Sequence, residues 1–202
     1  MDPILSPQQR AQGDSTPDEN FYDAPRFETH ADDAFLDRLC MVYDMHIQDG
    51  DRIFDAMSSW VSHLPSNEYE TVIGHGLNST ELAANPVLDD WFTQDLNKDQ
   101  SLPLRDESFD AVLCALGVQY LQFPGKVFQE FNRILHPNGT LIVSFTNRMF
   151  PEKVIRAWMY ASMDDRIQLV RQYASPFSFA IDSIIREKPG NDPFVAMTLT
   201  PL

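Results

Sequence analysis

Asp55 closes a short apolar run, Arg52-Ile53-Phe54-Asp55-Ala56, and Met57, Ser58, Ser59, Trp60 and His63 follow it closely. A carboxylate at the end of a buried strand, with hydroxyls beside it, can hold a polar ligand; its plain alternative is a turn cap. Asp95-Leu96-Asn97 repeats the theme after Trp91–Gln94, with Asp95 either a ligand acceptor or a cap. Tyr22, Arg26 and His30 lie in an aromatic-rich segment, 21–30. Imidazole titrates in the range a general base needs, so His30 is either a base folded over a site or a solvent-facing histidine at a helix start. Tyr22 and Arg26 either close the same lid or simply pack. Trp60 and His63 either touch a ligand or fill loop volume. Met57, Met149, Trp158 and Met159 either wall an apolar pocket or belong to the core.

Other chemistries are disfavoured. The five histidines and two cysteines show no His-x-x-x-His or Cys-x-x-Cys spacing, so no metal is expected. Cys40 and Cys114 read as small buried hydrophobes. No Gly-x-Gly-x-x-Gly follows the first strand and no phosphate-binding lysine is evident. The net charge is −15, from 15 Lys and Arg against 30 Asp and Glu. Nucleic acid and anionic membranes would repel such a chain. No run of about 18 apolar residues appears, and residues 1–20 lack the pattern of a secretory signal, which sets the expectation of a cytoplasmic protein.

The elements that must position these residues follow from periodicity. Residues 1–20 are polar and acidic and are expected to be disordered; residues 21–202 read as one domain, with 21–50 a lid segment and helix. Phe35, Leu39 and Val42 recur at helical spacing, with Asp32 and Asp33 at the helix start. Strands are expected at 52–56, 70–74, 91–94, 109–115 and 140–145, with helices between them. Asn78-Ser79-Thr80-Glu81 reads as a capping box. His136-Pro137-Asn138-Gly139 stops the helix centred on Phe128 and Phe131, with Gly139 free to take positive φ. Segments 177–185 and 194–200 suit an antiparallel closing pair. The order implies a Rossmann-like, doubly wound α/β fold: a mostly parallel seven-stranded sheet ending in an antiparallel pair.

Leu102-Pro103-Leu104-Arg105-Asp106-Glu107-Ser108-Phe109-Asp110-Ala111-Val112, Phe131 through Val143 with its Arg133-Ile134-Leu135-His136-Pro137-Asn138-Gly139 turn, and Arg52–Ala56 together resemble class I S-adenosylmethionine-dependent methyltransferases, over about residues 30–200. The narrower likeness is to the methyltransferase-type-11 group. Asp55-Ala56-Met57-Ser58-Ser59-Trp60-Val61-Ser62-His63 and Phe21–His30 also resemble a glycine-poor subgroup of small methyltransferase-like proteins. The resemblance implies S-adenosylmethionine as cofactor and a small-molecule methyl acceptor. It places Asp55, Ala56, Met57, Ser58, Ser59, Gly74, Gly76, Asn78, Asp95, Leu96, Cys114 and Ala115 around the cofactor. Arg26, Gln119 and Tyr120 would face the acceptor, with His30 and Tyr22 as candidate catalytic groups.

Two departures stand out. The family's loop after the first strand is glycine-rich, where Ser58 and Ser59 replace glycines here. The family's ribose-binding acid after the second strand is replaced by Gly76. Losing that contact costs about 1.5–3 kcal/mol, which Asn78 or a water would offset in part. The alternative is a methyltransferase-like binding or scaffold protein that has lost or weakened its donor site.

Overall fold

The computed structural model describes residues 4–202. Four parallel strand pairings build the sheet. The first strand, β1 (Arg52–Asp55), lies between β2 (Thr71–Gly76) and β4 (Phe109–Ala115). Beyond β2 stands β3 (Asp90–Thr93), and beyond β4 stands β5 (Leu135–Phe145). The C-terminal hairpin, β6 (Phe179–Glu187) and β7 (Phe194–Pro201), adds antiparallel to β5 through β7. The order is β3-β2-β1-β4-β5-β7-β6, the expected doubly wound sheet with its closing pair. The order of strand addition reverses between β1 and β4, and open α/β sheets bind ligands in the crevice at that point.

Alternation along β1 explains the two cores. Ile53 faces Phe35, Leu39, Val42 and Tyr43 of helix α2 (Asp33–His46), which follows the short α1 (Asp18–Phe21). Phe54 faces the other way, onto Phe109, Phe131 and the larger cluster that includes Trp158 and Tyr173. Helices α4 (Pro124–Ile134), α5 (Arg156–Met159) and α6 (Met163–Ala174) cover that side. Asp32 caps α2 by accepting from Phe35 N–H, and its second oxygen accepts from Asn191 and Asp192 N–H, tying the β6–β7 loop to the helix.

Several local expectations need correction. Asn78 does cap α3 (Ser79–Ala84), accepting from Thr80 and Glu81 N–H, but Glu81 does not reach back to it. Gly139 takes no positive φ. The chain passes directly from α4 into β5, and residues 136–139 bulge between the Phe109–Leu135 and Ala111–Thr140 pairs. Gly139 is required for space: an added Cβ would stand 2.9 Å from the Asp110 carbonyl oxygen. Cys114 is buried as expected, but Cys40 is only half-buried; both are free thiols.

The largest difference concerns the N-terminal segment, expected to be disordered. Residues 1–3 lie outside the described residues, but 4–20 pack on the domain. Leu5 is in the core, Ala157 N–H donates to the Gln9 carbonyl and Arg156 N–H to that of Ala11. The anchor is Lys153, whose fully buried ammonium donates to the Thr16 carbonyl at 2.6 Å and pairs with Asp18 at 3.1 Å and Asp14 at 3.4 Å. A buried cation requires such partners, and here the polar tail supplies all of them. Among the described residues no helix is long and apolar enough to cross a membrane.

Candidate functional site

A cleft of about 580 Å³ opens at the carboxyl ends of β1, β2, β3 and β4, within the range of about 300–1,000 Å³ typical of small-molecule sites. One wall is the loop after β1. Asp55 is buried and accepts from Ser58 Oγ at 2.5 Å. Burial pushes its carboxyl up to about 6, with the Ser58 and Ser62 hydroxyls opposing the rise.

The glycine substitutions are accommodated differently from expectation. The strain falls on Met57, which takes φ 58°, rather than on Ser58 or Ser59. The chain turns there, and Ser58 N–H donates to the His75 carbonyl at 2.7 Å. The turn presses Ser58 against the end of β2: a Cβ on Gly76 would stand 2.6 Å from the Ser58 carbonyl oxygen. No side chain, acidic or otherwise, fits at Gly76 while the loop holds this path. Asn78 cannot substitute for the missing acid. Its Oδ1 is engaged in the cap and its Nδ2 donates to the carbonyls of Tyr22 and Asp23.

Two groups that sequence reasoning missed hold this wall. His75 accepts from Met57 N–H at Nδ1 and contacts the Gln94 carbonyl through Nε2 at 2.9 Å, so the proton sits on Nε2. Burial pushes its pKa down to about 4, keeping the ring neutral. Glu81 accepts from Arg26 N–H at 2.7 Å and from Ser59 Oγ at 2.6 Å, joining the 21–30 segment to the β1 loop. The only sequence signal for His75 was its place between two glycines at a strand end; Glu81 was assigned to a capping box.

Opposite, the loop after β3 carries Asp95 and Leu96. Asp95 caps its turn, accepting from Asn97 N–H at 2.9 Å, and also lines the cleft. Burial raises its pKa, helped by the nearby Asp18 and Glu19 charges. Asp18, in the tail expected to be disordered, lines the cleft too and accepts from Asn97 Nδ2 at 2.8 Å. The loop after β4 adds Ala115, Leu116 and Gln119. Met57, His63 and Leu116 all have φ between 55° and 58°, and all three line the cleft. Such non-glycine strain concentrates where a site demands a particular backbone.

The 21–30 segment contributes to the cleft wall. Tyr22, Arg26 and His30 all reach the cleft. His30 packs edge-on against Phe150, whose N–H donates to the Tyr120 hydroxyl. Burial lowers the pKa of His30 and raises that of Tyr22, so the imidazole is neutral and the phenol protonated near neutral pH. Trp60 and His63 line the mouth, with Trp60 Nε1 donating to the Glu28 carbonyl at 3.3 Å.

Of the residues expected around a cofactor, Asp55, Met57, Ser58, Ser59, Gly76, Asn78, Asp95, Leu96 and Ala115 line the cleft, as do Gln119 and Tyr120. Ala56, Gly74 and Cys114 do not. Cys114 and Ala56 point into the core beside Phe54, and Gly74 packs against Leu88. Met149 lines the cleft with Met57, whereas Trp158 is core and Met159 packs against it.

Residues 66–143 match the family model of the methyltransferase domain. Over 101 residues the chain is 30% identical to the ubiquinone/menaquinone biosynthesis C-methyltransferase UbiE of Bartonella bacilliformis, covering 48% of this chain and 38% of that protein. The Brucella canis protein of the same name is 30% identical, with 37% of it covered. The chain thus spans well under half the length of these curated relatives. A SAM-dependent methyltransferase structure from Aquifex aeolicus superposes with TM-score 0.62 at 12% identity, covering 84% of this chain and 92% of that one. The [4+2]-cyclase SpnF superposes with TM-score 0.61 at 14% identity, over 82% and 81% of the two chains. The chain thus carries the fold of the solved methyltransferase structures, and residues 66–143 of it match the methyltransferase domain model.

Proposed function

We propose that the protein transfers a methyl group from S-adenosylmethionine to a small-molecule acceptor. The observation that carries this reading is the open cleft at the switch point. It stays open although the glycines of its loop are gone, because Met57 takes the left-handed turn and packs against Gly117.

The residues present fit the cofactor. Asp55 and Ser58 would receive its cationic methionine end, and Asp95 and Leu96 its adenine. Glu81 lines the same wall as Gly76, with both of its oxygens engaged by Arg26 N–H and Ser59 Oγ. When bound, S-adenosylmethionine supplies an electrophilic methyl group on positively charged sulfur. The protein's own part is positioning and exclusion of water. The 21–30 segment roofs the cleft, Gln119 and Tyr120 face the acceptor side, and neutral His30 is suited to take up a proton from an acceptor. The curated relatives are named for C-methylation in quinone biosynthesis, which favours a small aromatic acceptor. The acidic surface disfavours nucleic acid.

A second reading is favoured by Gly76 alone: a binding protein of the same fold whose donor site has lapsed. Calorimetric titration with S-adenosylmethionine and S-adenosylhomocysteine separates the two. Saturable binding that weakens in Asp95→Ala at unchanged melting temperature supports the enzyme. No binding of either compound to folded protein selects the second reading.

A further inference from the structure

Arg26 is the arginine that lines the cleft among aromatic rings. Its guanidinium carbon lies 4.4 Å from the ring centre of Phe21, 5.0 Å from Phe150 and 5.6 Å from Tyr22. Nη2 donates to the Phe21 carbonyl at 3.1 Å. Nη1 is shut off from solvent and has no hydrogen-bond partner, and among the described residues Arg26 forms no ion pair. Glu81 does not neutralise it: both of its oxygens are engaged, one by Arg26's own backbone N–H and one by Ser59.

The surroundings are aromatic on the same side of the cleft. Tyr120 stacks on Phe150 at 6.1 Å and 28°, and His30 meets the same ring edge-on at 5.2 Å. A guanidinium fork with a free N–H, lying over aromatic rings at the cleft wall, matches the planar geometry of a carboxylate. Stacking alone would leave the whole fork free to reach water, as exposed arginines do.

We propose that Arg26 is the anchor for an anionic group on the ligand, and that the acceptor site takes an aromatic monocarboxylate. The ring lies among Tyr22, Tyr120 and Phe150, and the carboxylate pairs with Nη1 after a small rotation of the Arg26 stem. This deepens the methyl-transfer reading and rests on it for the word acceptor, but the binding preference stands without it.

The test is calorimetric titration of the full chain with 4-hydroxybenzoate and with its neutral amide, 4-hydroxybenzamide. The acid is expected to bind about tenfold to hundredfold more tightly than the amide, the usual worth of a charge-assisted pair. That preference disappears in Arg26→Met and survives in part in Arg26→Lys, with melting temperatures recorded for each variant. Equal affinity for acid and amide, binding of neither, or an undiminished preference in Arg26→Met overturns the proposal. S-adenosylhomocysteine titrated into the same samples reports separately on the donor site. Its failure to bind, with the acid preference intact, removes methyl transfer and leaves the carboxylate site.

Discussion

His75 Nδ1 accepts the backbone N–H of Met57 at 3.2 Å, so an imidazole at the end of β2 holds the first left-handed residue in the loop after β1. The ring's other nitrogen holds Gln94, at the start of the loop after β3. A single neutral side chain therefore sets the spacing between the two loops that would grip opposite ends of the cofactor.

His75→Phe should cost about 1–3 kcal/mol by leaving the Met57 N–H buried and unpaired. It should also change the acid limb. The folded pKa of about 4 lies below the ordinary histidine value, so this group's contribution is present above about pH 6.5 and is lost as pH falls through the folded value. Urea unfolding at stepped pH should show that the variant lacks this component.

Asp55 acts in the opposite sense. Its folded pKa of about 6 is raised, so its contribution is fully present below its ordinary value and is lost as pH rises through about 6. Asp55→Asn should stabilise the unliganded protein above that pH by up to about 3 kcal/mol and weaken S-adenosylmethionine binding by about tenfold or more. In the native protein a bound cation should pull the carboxyl back down. Titration near pH 6 in buffers of different ionisation enthalpy should then detect proton release.

Gly76→Ala meets the Ser58 carbonyl, which is backbone and cannot swing aside. Unfolding measurements should show a cost of about 1–3 kcal/mol, together with weaker S-adenosylhomocysteine binding as the loop shifts. Gly74→Ala meets only the flexible tip of Leu88 and should cost less.

Lys153→Met removes the cation that Thr16, Asp14 and Asp18 surround. Limited trypsin digestion should then cut after Arg10 much faster than in the native chain. Because Asp18 and Asn97 share a hydrogen bond at the cleft wall, cofactor affinity should fall as well. An unchanged digestion rate would show that the tail is held by its other contacts.

The sheet was legible because hydrophobic periodicity reports burial directly: 109–115 reads as a strand buried on both faces, and it is one. Site residues were legible where they follow a strand end, as Asp55 and Asp95 do. Cys114 and Ala115 were both assigned to the cleft, but neighbouring strand residues point oppositely, so only Ala115 lines it and Cys114 lies in the core. The tail was misread for a related reason. Its attachment uses backbone hydrogen bonds and one distant lysine, neither of which leaves an apolar pattern around residues 9–18. Glu81 and His75 escaped notice because their partners come from segments 26–59 and 57–94, contacts that only the folded chain brings together.

The contact between Ser58 and Gly76 also governs the order in which this site can change. An acid introduced at 76 collides with the present loop, and glycines restored to the loop alone leave the ribose wall bare. Each single step is a loss or a neutral change, and only the pair rebuilds the common arrangement. A library that varies position 76 by itself should return glycine alone among binders, whereas one that varies 57–59 and 76 jointly should open the route to a carboxylate.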